Sequence, residues 1–174
     1  IDILVNLTGI VTETEFADFG LPNGSRVGFL PSFEIVGSPF LGIASEELDS
    51  NDWSAVLWKI TSVTGPGDFI LASYDPFGAL QGSYGVGAVL PLTVGGHNHF
   101  LYLFTAPGRY EVTFVVQGIL VDVGSGGSNL RTASGTFNFL VPVPEPSIPA
   151  LLGSLSVAAL WFCLVRNGRR SQPT

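Results

Sequence analysis

The chain contains two histidines, and they stand two apart at His97 and His99. Side chains alternate faces along an extended segment, so this spacing puts both imidazoles on one side of a strand. Paired neutral imidazoles are ligands suited to a divalent transition metal such as zinc, nickel or copper, with a carboxylate to complete the shell. Asp68, just after a Gly-Pro-Gly turn, and Asp75 are the carboxylates this reading singles out. The competing reading is that both rings hydrogen-bond loop backbone at one end of a β-domain.

Aromatic rings offer a second chemistry, because their faces can stack on sugars. Trp58 lies inside the apolar run 55–60 and reads as core, whereas Trp53 and Tyr84 sit among loop-type residues and are the expected glycan contacts. Catalysis has weaker support. A nucleophile needs a base within hydrogen-bond reach, and neither Ser62 nor Ser83 belongs to a signature that would pair it with His97. Gly85-Val86-Gly87 is not followed by a helical pattern, so it is not a dinucleotide fingerprint. Glu46-Glu47 reads as a solvated, mutually repelling pair. The expectation is a protein that is not an enzyme.

The elements that must position these residues are strands. Hydrophobic residues make up 46% of the chain and charged ones 12%, with 22 Gly, 12 Pro and 13 Phe. Such a mixture favours short strands and tight turns over helices. Alternation runs through Ile1–Leu7, Ala55–Ile60, Phe69–Tyr74, Phe100–Phe104, Tyr110–Val116, Ile119–Val123 and Thr136–Val141. Asn23-Gly24, Gly65-Pro66-Gly67, Ala106-Pro107-Gly108 and Gly124-Ser125-Gly126-Gly127 supply the reversals between them. The segment with Glu46, Glu47 and Asp49 reads as a loop or a single helical turn. Residues 1–141 are thus expected to form an immunoglobulin-like antiparallel β-sandwich.

Charge is divided along the chain. All 14 acids lie at or before Glu145, where Arg26, Lys59, Arg109 and Arg131 are the only bases. The domain is therefore about ten units negative, which repels phosphate backbones and disfavours nucleic acid as a partner. Cys163 is the single cysteine, and it stands in the apolar tail. The domain before it can hold neither an internal disulfide nor a thiolate metal site. The chain has no Met, so its start at Ile1 reads as that of a processed form or a fragment, with a signal peptide expected upstream.

Residues 142–147 form a Pro-rich linker. From 148 to 165 there is no charge, and as a helix that stretch spans roughly 27 Å, enough to cross a hydrocarbon core. Arg166, Arg169 and Arg170 follow at once. The positive-inside rule then makes 166–174 a cytoplasmic tail and puts the N-terminal domain outside. The sequons at Asn6 and Asn23 match glycosylation acceptors but read as incidental.

Val143-Pro144-Glu145-Pro146-Ser147, the short apolar helix and the basic end together resemble the PEP-CTERM sorting signal of Gram-negative bacteria. The resemblance implies recognition by an exosortase, a transpeptidase-like membrane enzyme expected to cut near Pro144, Glu145 and Pro146. It also implies an inner-membrane stage, followed by delivery to the cell surface or an exopolysaccharide matrix. The domain ahead of the signal resembles the choice-of-anchor M module. The matching pieces are Arg26–Pro31, Leu41–Ile43, Val63–Phe69 and Gly96–His99 continuing into Leu103–Tyr110. Members often carry Trp near Tyr102. The His-x-His segment recurs in them, and some stand beside metal-uptake transporters, so the resemblance adds weight to a metal at His97 and His99.

Overall fold

The computed structural model describes residues 2–14, 16–121 and 129–143. The chain divides into two units, Ile1–Val143 and Pro144–Thr174. The sorting motif, the apolar run 148–165 and Arg166, Arg169 and Arg170 lie outside the described residues. Among those that are described, no helix is long and apolar enough to cross a membrane.

The first unit is all-β. In chain order its strands are β1 (Asp2–Leu4), β2 (Leu7–Ile10), β3 (Arg26–Leu30), β4 (Gly42–Ala44), β5 (Trp53–Thr64), β6 (Phe69–Tyr74), β7 (Leu80–Tyr84), β8 (Val89–Leu92), β9 (His97–His99), β10 (Leu101–Phe104), β11 (Gly108–Leu120) and β12 (Leu130–Val141). A short 3-10 helix, Ala17–Phe19, precedes β3. One five-stranded sheet has the order β1-β12-β11-β5-β8, the other β2-β3-β10-β6-β7, and β4 pairs with β9 in a small third sheet.

The two large sheets share one core, as in a sandwich. Val56, Trp58 and Ile60 from β5, Tyr110, Val112 and Phe114 from β11, and Phe139 and Val141 from β12 meet Leu30, Phe69, Leu71, Tyr102 and Phe104 of the other sheet. The period-two spacing of each set is what a strand buried on one face requires. Phe69 lies at the centre, with ring centroids 5.2 Å from Phe104, 6.0 Å from Phe139 and 6.3 Å from Phe114. Aromatic pairs at such separations add roughly 0.5–1.5 kcal/mol each beyond their buried area.

The expectation of purely antiparallel pairing needs correction. β1 runs parallel to β12, with Asp2 opposite Asn138 and Leu4 opposite Leu140. The chain crosses to the other sheet straight after β1, and the partner strand β12 comes only at the far end of the domain. A long route of that kind permits a parallel pair, whereas a hairpin does not. An ion pair at 2.7 Å from Arg109 Nη2 to Asp2 Oδ1 ties β1 to β11. Beyond Asp2 the edge of β12 opens, and among the described residues no strand lies outside Thr132–Phe137. The opposite edge of this sheet is β8, four residues long and including Pro91, which has no N–H to offer.

Tyr110 fixes the turn from β10 into β11. Its hydroxyl donates to the Ala106 carbonyl at 2.8 Å and accepts from the Ala106 N–H at 3.1 Å. Its ring is fully buried against Gly65, where a Cβ would overlap the ring carbons. Gly65-Pro66-Gly67 is therefore required for close approach as much as for turning.

Candidate functional site

β4 and β9 place the two histidines. Antiparallel pairing sets Gly42 opposite His99, Ile43 opposite Asn98 and Ala44 opposite His97. Ser45 anchors this pair to the preceding turn. Its backbone N–H donates to the Gly96 carbonyl at 2.8 Å, and its buried hydroxyl donates to the Thr93 carbonyl at 2.7 Å. Satisfying both groups of a buried serine is what lets three-residue strands hold a register.

The rings share a face, as the two-residue spacing requires. Their centroids are 4.5 Å apart at an interplanar angle of 34°. His97 Nδ1 lies 2.9 Å from Glu46 Oε1, with the two side chains 41% and 58% exposed. If Nδ1 carries the proton, it donates to the carboxylate and leaves Nε2 as the acceptor on the neutral ring. His99 is held differently. Its ring stacks on Phe40 at 3.9 Å and 10°, and its Nδ1 lies 3.3 Å from the Leu41 carbonyl. Gly42 makes this possible, since a Cβ there would collide with His97 Nε2 and crowd His99.

The carboxylate beside the imidazoles is therefore Glu46. Asp68 lies at the turn into β6, where its N–H donates to Thr105 Oγ1 at 2.7 Å. Asp75 uses its carboxylate on the next turn, accepting from Phe77 N–H and Ala79 N–H at 2.8 Å each. Sequence reasoning missed Glu46 because some fifty residues separate it from His97. The adjacent Glu47 also made a solvated pair the simpler reading. Among the described residues, no group of three His, Cys, Asp or Glu side chains is arranged to hold a metal ion.

Trp53 opens β5 and Tyr84 closes β7, so both stand on strands rather than in loops. They belong to different sheets. Trp53 lies over Gly118, and Tyr84 packs along the main core. Neither Ser62 nor Ser83 hydrogen-bonds to His97, whose polar partner is Glu46. Asn6 is engaged structurally, for its amide donates to the Gly37 carbonyl at 2.6 Å and accepts from the Ser38 hydroxyl at 2.9 Å.

Fold and site together define an all-β, sandwich-like module with a half-exposed imidazole–carboxylate patch on a small accessory sheet. Comparison with protein-family models, with curated proteins and with solved structures returned no match.

Proposed function

We propose that this chain is a non-enzymatic, exported surface or matrix protein of immunoglobulin-like type, sorted by an exosortase through its C-terminal segment. The observation that carries the sorting reading is the succession of Pro144-Glu145-Pro146, an uncharged stretch over 148–165 and Arg166, Arg169 and Arg170. The resemblance to the PEP-CTERM signal supplies the enzyme that would recognise it.

The immunoglobulin-like reading draws support from strand order. With β1, β7 and β8 set aside, the sheets run β2-β3-β10-β6 and β5-β11-β12. In chain order these correspond to the A-B-E-D and C-F-G sheets of a constant-type domain. Tyr110 supports it further, since such domains put a tyrosine at the start of strand F with its hydroxyl bonded to backbone a few residues upstream. Trp58, on the strand that corresponds to C, stacks on Phe114 at 4.2 Å. Val112, two residues beyond Tyr110, is fully buried where antibody domains place their second cysteine. Apolar packing would thus replace the cross-sheet disulfide, in keeping with a chain whose one cysteine is Cys163.

Cell fractionation with mass measurement of the C-terminus tests the sorting reading. The parent protein should lose its tail near Pro144, and Pro144→Ala with Glu145→Ala should keep it and stay in the membrane fraction. An intact tail in the parent protein would reduce the segment to a permanent anchor and overturn the proposal.

A further inference from the structure

A cleft of about 230 Å³ opens between the inner faces of the two sheets, walled on one side by Gly42, Ile43 and Ala44. Its other walls are mainly aromatic, with Trp58, Phe114, Phe137 and Phe139 from one sheet and Tyr102 from the other, and Ile3 and Leu41 complete them. The Trp58–Phe114 stack and the edge-on approach of Phe137 to Phe114, with centroids 5.5 Å apart, hold these rings in place. Among the described residues, no charged side chain lines the space.

Two of the lining side chains carry a polar group, Tyr102 its hydroxyl and Trp58 its indole N–H. Tyr102 is only 4% exposed, yet its hydroxyl makes no hydrogen bond among the described residues. Those residues include no fully buried side-chain polar atom without a partner, so this hydroxyl touches solvent, and Tyr102 lines the cleft. Burial pushes the phenol well above its ordinary range, so it stays neutral and can both donate and accept at any physiological pH.

We propose that the cleft binds a small, flat, uncharged aromatic molecule bearing one hydrogen-bonding atom, of the indole or phenol class. The aromatic walls supply stacking and edge contacts, and the Tyr102 hydroxyl supplies a directional contact that orients the ring. A carboxylate-bearing ligand is disfavoured twice, by apolar walls that cannot pair with it and by the strong negative charge of the domain. The site is independent of the sorting reading, since it uses residues of the first unit alone.

The test is an NMR titration of the full chain with indole, toluene and benzoate. Indole should give saturable shifts at Tyr102, Phe137 and Phe139 with a Kd in the range of about 0.1–1 mM, and benzoate should bind at least about tenfold more weakly. Tyr102→Phe should weaken indole roughly five- to tenfold and leave toluene unchanged. Phe137→Ala, at a residue 47% exposed on the rim, should weaken indole and toluene alike, measured where the variant's NMR spectrum shows it fully folded. Three results would overturn the proposal: no saturable shift at these residues, equal loss of indole and toluene in Tyr102→Phe, or tighter binding of benzoate than indole.

Discussion

The Tyr110 corner and the His97 patch use the same device with opposite outcomes. In each, a ring lies so close to a glycine that no Cβ could fit between them: Gly65 beneath Tyr110, Gly42 beneath His97. Tyr110 is sealed on every side and its hydroxyl is satisfied by Ala106. His97 is half exposed, and its partner Glu46 is more so. Close approach alone therefore does not mark a rigid structural joint, because what surrounds the ring decides whether the contact fixes the fold or leaves a side chain free to move.

The sharpest way to break the comparison is to add one methyl group at each glycine. Gly65→Ala should cost about 1–3 kcal/mol, because neither the buried ring nor the turn can give way. Gly42→Ala should cost less than about 1 kcal/mol, since His97 can swing into solvent. Chemical denaturation would measure both, and equal losses would end the distinction.

Next in size is Tyr110→Phe, which removes a donor and an acceptor from Ala106 and should cost about 1–2 kcal/mol. Alkaline pH should act in the same direction. Burial raises the phenols of Tyr102 and Tyr110 above the ordinary value of 10.0. Above that pH the unfolded chain has released protons that the folded chain still holds, so stability is present below pH 10 and falls as pH rises beyond it. Denaturation midpoints between pH 8 and 11 should fall less steeply in Tyr102→Phe. The smallest effect belongs to Glu46→Gln. An exposed pair such as His97–Glu46 contributes between zero and about 1 kcal/mol, and the change should shrink further in high salt.

Much of this contrast was legible in the sequence, and what was not has a physical cause. Alternation located β6 at its observed ends and put Trp58, Phe69, Tyr110 and Phe139 in strands, because a face that must be buried leaves a period of two. It split β11 into two runs at Gln117-Gly118, where Trp53 fills the space above a residue without a side chain. It also began β12 too late, since Leu130–Thr136 are exposed on both faces and carry no alternation. The His pair was visible from its spacing. Glu46 and Phe40 were not, because both reach the imidazoles only through the β4–β9 pairing, and a register between three-residue strands leaves no local pattern.

The unequal edges of the β1-β12-β11-β5-β8 sheet bear on how copies of the chain can meet. Thr132–Phe137 of β12 has no strand outside it among the described residues, while at the other edge β8, with Pro91, covers only Val56–Lys59 of the longer β5. In the vocabulary of polymer chemistry the β12 side is the more reactive end. A contact between two copies through β12 would consume that end on each, so this edge favours a closed pair over a growing chain.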